Sequence, residues 1–537
     1  MTRQEERVAK TKTKLVKKLE KYPFIGVVGR VSDWLSDSTY RYPISCTMLR
    51  VKDSMEGEDG IEFSWAYASK GLRFGAGVVV DLSELRSRGN PVGKGGTSTG
   101  AAAFVKIYST QNEILRRGGV FKNGAIVVNL NISHGDCADF LALTPQDIPW
   151  VKRTLYVSDV PGDPDYLLDS PHLDAVIAAV ANGSLWLAKK QYDKDGKRVY
   201  SNVCNGILIP SRGSCLLTHV NLGQCTLKNL RKAFRETMRF LCELHGITGA
   251  GRDNYYLPPK LDRQVGMGVF GLANFLATYN VKYQEFTDAL QDFLDMQEGD
   301  LSKSHSFNSY STLVQQIVIT LDSAFKDATV IASKYKMDRA FTVEPTASCA
   351  FRYKDTLGYT TTAEISPPIC HPETKILVRD SVTFGQVEYQ YPHNVETAQE
   401  VGWDTYYKLC RNWQRLMNST GLAHTISFNI WNTRTITAEF LADWLRSPLV
   451  TTYYRMMVEQ SYLDKSTIAS TIAEEFKKEL IGEDEFFQPE DTTDNTSFSF
   501  IPNAFVPTAE SDNTEKPTGA CMLTPQNDPN FCSACAE

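Results

Sequence analysis

The chain has 537 residues, 42% of them hydrophobic, and its formal net charge is −6. This size and composition are typical of a globular protein with enough apolar side chains for a large core. The acidic net charge gives no support for a nucleic-acid-binding protein, and no apolar run approaches the roughly 20 residues of a membrane-spanning helix. Because the start of the chain is charged rather than signal-like, we expect a cytoplasmic protein. The twelve cysteines then favour free or catalytic thiols over structural disulfides.

The first segment of the chain predicts a solvated helix. It is rich in Lys, Arg and Glu, and Val8, Leu15 and Leu19 are spaced for one helix face. We place this short charged helix within residues 1–25. An apolar, strand-like run that contains Cys46 comes later in the chain.

Glycine-rich and apolar motifs then follow one another in a fixed order. They cover residues 74–80, 85–91, 95–100, 104–108 and 118–125. A single glycine cluster most often serves a turn. Five motifs in order favour nucleotide binding, because glycine lets the backbone approach phosphate and base closely and exposed amides can bind anionic oxygen.

The central stretch, from Ser201 to Pro210, reads S-N-V-C-N-G-I-L-I-P and carries Cys204. This cysteine lies among asparagine, glycine and proline, which are typical of loops, so we place it at a loop tip, where chemistry is often located. A second cysteine, Cys215, begins the run C-L-L-T-H-V-N-L-G. Two buried core thiols are the ordinary interpretation of such a pair, but the loop position of Cys204 favours a catalytic role.

These segments together resemble the large, catalytic subunit of ribonucleotide reductases. In that family the central stretch runs S-N-L-C-x-E-I-x-L-P, the next runs C-T-L-S-x-x-N-L-G, and the glycine-rich motifs occur in the same order. The resemblance extends from about residue 32 to the last residue. It implies an α/β fold, a ten-stranded α/β barrel over residues 26–482 with a finger loop at its centre. It also implies an oxidoreductase that converts ribonucleoside di- or triphosphates into 2′-deoxyribonucleotides.

The resemblance assigns roles to single residues. Cys204 would become a thiyl radical that removes the 3′ hydrogen of the ribose, to which Asn202 binds. Cys46 and Cys215 would supply electrons while the 2′ hydroxyl leaves as water, and would become a disulfide. The residues implied in substrate binding are Ser32, Ser45, Gly77, Thr346, Ala347 and Ser348.

The composition changes at Glu483 to Asp, Glu, Thr, Ser, Asn and Pro, which predicts a flexible acidic C-terminal tail over residues 483–537. The tail ends with a C-x-x-C pair, Cys532 and Cys535. A tetrahedral zinc site needs four ligands and no second pair is near, so a mobile dithiol is favoured. By the resemblance, this dithiol reduces the active-site disulfide by exchange and is itself restored by thioredoxin or glutaredoxin.

Tyr453 and Tyr454 resemble the adjacent tyrosines that relay a radical to the cysteine in reductases fed by a separate subunit. This implies a ferritin-like, radical-generating partner subunit and no cofactor or metal bound in this chain. The form implied is a compact, phage-type enzyme, located in the host cytoplasm if viral. The alternative is a reductase in which adenosylcobalamin acts directly.

Regulation is also implied by the resemblance. Asp53 and Arg86 would bind an allosteric nucleotide, and the subunit would form a homodimer. The residues before the match are too few for a separate domain, so we expect no ATP-cone domain. Residues 141–200 form a shorter stretch than in typical large subunits, and residues 149–153 are our candidate for the substrate-specificity loop.

One position departs from the family pattern. Where the family has a glutamate two residues after the radical cysteine, acting as general base on the 3′ hydroxyl, this chain has Gly206. Glycine cannot transfer a proton, so another carboxylate or a water must replace it; Asp33, Asp37 and Glu364 are the candidates. The further alternative is a catalytically dead, nucleotide-binding paralogue, against which the retained cysteines argue.

Overall fold

The structure of the protein is a computed structural model. It describes residues 3–36, 42–93, 95–115, 124–252, 254–369, 378–379, 386–387 and 390–458. The predicted C-terminal tail with Cys532 and Cys535 lies outside the described residues, as does the candidate base Asp37.

The helices of the described part are α1 (Arg3–Lys21), α2 (Gly29–Ser36), α3 (Ile61–Arg73), α4 (Ala101–Ile114), α5 (Cys137–Ala142), α6 (Leu173–Ala181), α7 (Leu230–His245), α8 (Leu272–Thr278), α9 (Tyr283–Gln297), α10 (Lys303–Ser309), α11 (Thr312–Lys334), α12 (Ala347–Ala350), α13 (Ala398–Val401), α14 (Trp403–Asn418) and α15 (Ala438–Arg446).

The strands are β1 (Ile25–Val27), β2 (Cys46–Arg50), β3 (Gly77–Asp81), β4 (Ile126–Asn131), β5 (Val151–Val157), β6 (Trp186–Lys189), β7 (Gln191–Tyr192), β8 (Arg198–Ser201), β9 (Leu208–Ile209), β10 (Ser214–Cys215), β11 (Leu217–Asn221), β12 (Gln264–Phe270), β13 (Arg339–Val343), β14 (Val378–Arg379), β15 (Gln386–Val387), β16 (Ala423–Ile426), β17 (Ile430–Trp431) and β18 (Arg455–Met456).

The first large sheet has the strand order β10-β2-β3-β4-β5-β6. Strands β2 to β6 are parallel, and the short β10 pairs antiparallel with β2 at the edge. Strand β3 reads G-V-V-V-D and is buried at every position. A continuous apolar run of this kind is typical of a parallel strand that is covered on both faces.

The second large sheet has the order β1-β11-β12-β13-β16. Strands β11, β12, β13 and β16 are parallel, and β1 is antiparallel to β11. Helices α7 and α11 connect these strands and pack against each other. Both helices bury one apolar face, which is the usual reason that a connecting helix stays on its sheet.

The two sheets are joined at both edges. Leu216 alone separates β10 from β11, so one run of chain leaves the first sheet and enters the second. At the opposite edge the Thr452 amide donates to the Leu187 carbonyl of β6 at 2.8 Å. The next amide, of Tyr453, donates to the carbonyl of Phe428, just after β16, at 2.7 Å. The continuous chain therefore joins the two sheets at one edge, and backbone hydrogen bonds join them at the other.

The structure confirms the predicted α/β class. The two larger sheets have six and five strands within the described residues, so the predicted barrel of ten strands is not confirmed. The charged N-terminal segment forms α1, whose Lys14 and Lys18 contact Glu243 of α7 at 2.8 and 3.1 Å. None of the helices in the described part is long and apolar enough to cross a membrane.

Candidate active site

The central stretch forms a tight loop between the antiparallel strands β8 and β9. The Asn202 amide donates to the Ile207 carbonyl at 2.8 Å, and the Asn205 amide donates to the Asn202 carbonyl at 3.0 Å. Asn205 has a φ of 57°, a conformation that asparagine tolerates better than most residues. We call residues 202–207 the finger loop; Cys204 lies within it and is fully buried.

Polar side chains from the surrounding elements hold the finger loop in place. The Gly206 carbonyl accepts from the Thr342 hydroxyl at 2.7 Å and from the Thr425 amide at 3.1 Å. The Asn205 carbonyl accepts from the Thr451 hydroxyl at 2.7 Å. These partners come from β13, from β16 and from the segment that joins the two sheets. The finger loop therefore lies between the two joined sheets.

Cys46 and Cys215 are paired directly across β2 and β10. Directly opposite residues of an antiparallel pair have Cα atoms about 4.5–5.5 Å apart, which lies within the range that a disulfide spans. Both cysteines are fully buried. Burial and the neighbouring Cys46 raise the pKa of Cys215 well above the usual value, so this thiol holds its proton.

The Asn202 side chain connects the finger loop with this pair. Its Nδ2 donates to the Cys215 Sγ at 3.6 Å, while its Oδ1 accepts from the amides of Gly206 and Ile207 at 3.0 and 3.1 Å. Asn202 therefore shapes the loop as well as facing the site. Cys204 itself is disulfide-bonded in the structure, so radical chemistry at its sulfur requires reduction first.

A buried carboxyl group that sequence reasoning missed lies beside the finger loop. Glu344 follows β13 and is fully buried, and its Oε1 accepts from Asn202 Nδ2 at 3.0 Å. A Cβ atom added to Gly206 would lie 2.5 Å from Glu344 Cδ and 2.6 Å from its Oε1. The Glu344 carboxyl group therefore fills the space that a side chain at position 206 would need.

The other candidate carboxylates have different surroundings. Asp33 is half-buried on α2. Glu364 is buried, accepts hydrogen bonds from the Thr346 amide and hydroxyl, and burial raises its pKa to about 7. The amide of Thr346, a residue implied in substrate binding, is thus bonded to a carboxyl group in this structure.

The remaining predicted substrate residues fall into two groups. Ser45 and Gly77 lie beside the cysteine pair, where the Gly77 amide donates to the Ser45 carbonyl at 2.8 Å. Ala347 begins helix α12, and the Ser348 side chain is outside the described residues. Ser32, by contrast, is exposed on α2.

The predicted effector residues contact each other at the opposite end of β2 from Cys46. Arg86 Nε donates to Asp53 Oδ2 at 2.8 Å, and both side chains are about one-third exposed. The structure therefore separates this ion pair from the buried cysteines by the length of one strand.

Tyr453 and Tyr454 are buried next to the finger loop. The Asn205 side chain of the loop donates through Nδ2 to the carbonyl of Thr452, the residue before Tyr453, at 3.0 Å. Their ring centroids are 4.3 Å apart. Trp186 of β6, which sequence reasoning did not identify, packs against both rings at 4.6 and 5.1 Å. Three aromatic rings thus pack together in one cluster beside the loop, at tilted or edge-on angles.

The fold and these contacts define an α/β barrel protein with a buried thiol site on a central loop. Residues 44–148 and 187–294 match the family model described as "Ribonucleotide reductase, barrel domain". These two segments of the chain are thus similar to the barrel domain of that family.

The curated relatives are vitamin B12-dependent reductases. The chain is 23% identical over 274 residues to the vitamin B12-dependent ribonucleoside-diphosphate reductase of Mycobacterium tuberculosis, an alignment that covers 44% of this chain and 39% of the relative. It is 25% identical over 162 residues to the vitamin B12-dependent ribonucleotide reductase of Bradyrhizobium diazoefficiens, covering 30% of this chain and 12% of that protein. The matched part is thus well under half the length of either relative.

A solved structure supports the fold. The alpha subunit of the class Id ribonucleotide reductase from Actinobacillus ureae superimposes with a TM-score of 0.59 at 17% sequence identity. The match covers 85% of this chain and 94% of that subunit. At this identity the similarity establishes the fold of the barrel alone.

Proposed function

We propose that this chain is the catalytic subunit of a ribonucleotide reductase, which converts ribonucleoside di- or triphosphates into 2′-deoxyribonucleotides. The observation that carries the proposal is the Asn202 side chain, which joins the finger loop of Cys204 to the Cys46–Cys215 pair inside a matching barrel. A ten-stranded barrel is compatible with the two larger sheets, which together have eleven strands within the described residues. Strands β10 and β11 become a single strand if Leu216, which lies between them, is counted as part of it.

The proposed chemistry uses three thiols. A thiyl radical on Cys204 removes the 3′ hydrogen of the ribose and later returns it, so the radical is not consumed. The 2′ hydroxyl leaves as water, and a hydrogen replaces it at C2′. Cys46 and Cys215 together lose two electrons and two protons and become a disulfide, which balances the reaction. The tail dithiol of Cys532 and Cys535 then reduces that disulfide, with thioredoxin or glutaredoxin as the final reductant.

We further propose that a ferritin-like partner subunit supplies the radical through Tyr453 and Tyr454. The aromatic cluster supports this, since both tyrosine rings are buried and adjacent to the finger loop. Homodimer formation, effector binding by Asp53 and Arg86, and a cytoplasmic location belong to the same proposal.

A second candidate is direct use of adenosylcobalamin, favoured by the names of the curated relatives. When bound, that cofactor supplies the radical without a protein partner. The side of the finger loop that the aromatic cluster occupies does not fit a corrin ring, because Trp186, Tyr453 and Tyr454 fill it with buried side chains.

Tyr453→Phe distinguishes the two radical sources. With a ferritin-like partner from the same genome, we expect the variant to lose activity by about a hundredfold or more, because phenylalanine has no phenol to oxidise. With adenosylcobalamin alone, its activity should equal that of the wild type. The measurement is conversion of radiolabelled CDP and CTP to deoxynucleotide with dithiothreitol and effectors.

The matched control is Tyr407→Phe, a buried tyrosine on α14 whose hydroxyl donates to Asp443 Oδ2 at 2.8 Å. It should retain activity with either radical source. Full activity of Tyr453→Phe with the partner would contradict the relay, and wild-type turnover with cobalamin alone would favour the second candidate. No turnover in any arm would contradict the reductase proposal.

A further inference from the structure

We propose that Glu344 is the carboxyl group that exchanges protons with the substrate ribose, in place of the glutamate that the reductase family has at the position of Gly206. The inference rests on the proposed function and identifies a catalytic residue for it. Glu344 lies 138 positions further along the chain, at the end of a different strand.

The first support is steric. The φ of Gly206 is not in the left-handed region, so its backbone could accept any side chain. The obstacle is the space itself, because a Cβ atom would lie 2.5 Å from Glu344 Cδ and 2.6 Å from Ser427 Oγ. A Cβ atom at these distances would force the Glu344 carboxyl group and the Ser427 hydroxyl to move, and Glu344 would lose the position in which it bonds to Asn202. The absence of a side chain at Gly206 therefore leaves the space in which the Glu344 carboxyl group lies beside the finger loop.

The second support is the hydrogen-bond network. Glu344 Oε1 accepts from Asn202 Nδ2 at 3.0 Å, and Glu344 Oε2 lies 3.5 Å from the Ser427 hydroxyl. The same Asn202 Nδ2 lies 3.6 Å from the Cys215 Sγ. One side chain, proposed to bind the ribose, thus contacts both the carboxyl group and the reducing pair.

The third support is the electrostatic environment. The titratable groups that face Glu344 are Cys46 on β2, Cys215 on β10 and Glu364 in the loop after α12. Burial and the neighbouring Cys46 raise the pKa of Glu344 well above the usual glutamate value. A raised pKa brings the carboxyl group closer to the ribose hydroxyls in basicity, so that it can both take and return a proton.

The proton balance of the step is closed. After Cys204 has taken the 3′ hydrogen, the Glu344 carboxylate takes the proton of the 3′ hydroxyl while the 2′ oxygen leaves as water with a proton from the cysteine pair. When the pair has supplied its two electrons, Glu344 returns its proton to the 3′ oxygen. Glu344 ends as it began and is neither oxidised nor reduced.

The test is kinetic and uses the full chain with its radical source. Glu344→Gln retains an oxygen that Asn202 can bond, but it cannot take a proton. We expect kcat to fall by about 10²–10⁴-fold, while KM changes little. In the wild type kcat should rise with pH through the raised pKa of Glu344, because the base must be ionised, and this rise should be absent in Glu344→Gln. Glu243→Gln, on the outer helix α7, is the control and should behave as the wild type.

A double variant tests the exchange of positions. Glu344→Ala empties the space, and adding Gly206→Glu returns a carboxyl group from the other side. We expect the double variant to be at least about tenfold more active than Glu344→Ala alone, a partial recovery of the roughly 10²–10⁴-fold that general base catalysis contributes. Gly206→Glu alone should be inactive or unfolded, because two carboxyl groups cannot share the site.

Two results would overturn the inference while leaving the reductase proposal intact. One is an active wild type whose Glu344→Gln variant has unchanged kcat and pH profile. The other is a folded double variant no more active than Glu344→Ala, a comparison that also decides the matter if Glu344→Gln does not fold. An inactive wild type would instead refute the proposed function, and the inference with it.

Discussion

Cys204→Ala is expected to reduce deoxynucleotide formation to background, at least about a thousandfold below the wild type. Under the proposed function, the Cys204 sulfur is the atom that removes the 3′ hydrogen, and alanine cannot form a thiyl radical. The finger loop should survive the change, because Thr342, Thr425 and Thr451 hold its backbone rather than the cysteine side chain. The measurement is product formation from radiolabelled CDP and CTP, under reducing conditions that free the Cys204 thiol.

Cys242→Ala is the matched control for this prediction. Cys242 is a buried, free cysteine on α7, outside the finger loop and the paired strands. The control should lose some stability but no more than a few-fold in activity, since most single substitutions cost about 0.5–3 kcal/mol. Activity that persists in Cys204→Ala would assign the radical to another residue.

Cys46→Ser and Cys215→Ser are each expected to abolish repeated turnover, by about a hundredfold or more. A serine hydroxyl cannot be oxidised to a disulfide, so the electrons for loss of the 2′ hydroxyl would be missing. The two sites should be equally sensitive, because the strand register pairs them directly. The loss should appear with dithiothreitol as well as with thioredoxin, since the defect lies in the active site.

Disulfide mapping distinguishes this account from simple loss of fold. After the wild type has turned over without external reductant, mass spectrometry should find the peptides of Cys46 and Cys215 joined. The buried Cys225 should stay unmodified in the same sample and serves as the internal control. A wild type that forms product while Cys46 and Cys215 remain reduced would contradict the proposed electron source.

The sequence predicted those parts of the site that lie in local motifs. The asparagine, glycine and proline residues around Cys204 predicted a loop, and Cys204 lies on a loop in the structure. Cys46 and Cys215 are far apart in the chain, and only the family resemblance brought them together; the register of β2 and β10 does so in the structure. Asn202 contacts Cys215. This contact is compatible with the ribose-binding role that the resemblance implies for Asn202.

Other parts could not be predicted, because they depend on distance in space rather than along the chain. Glu344 lies 138 positions after Gly206 in the chain, and the relation between the two residues appears only when β13 packs beside the finger loop. Trp186 is a single aromatic residue on a buried strand, with no local sign that it packs on Tyr453 and Tyr454. A glutamate at the end of an apolar strand, in a chain that lacks the family's own glutamate, was the one available signal.

The central claim is that the buried thiols of this barrel reduce a ribonucleotide. The most direct measurement is the amount of 2′-deoxynucleotide formed per reduced chain, with a radical source present but no external reductant. The account predicts about one product per chain from the Cys46–Cys215 pair, and about two if the Cys532–Cys535 dithiol exchanges with it. No product from CDP or CTP with either radical source, in a folded protein that still binds nucleotide, would contradict it.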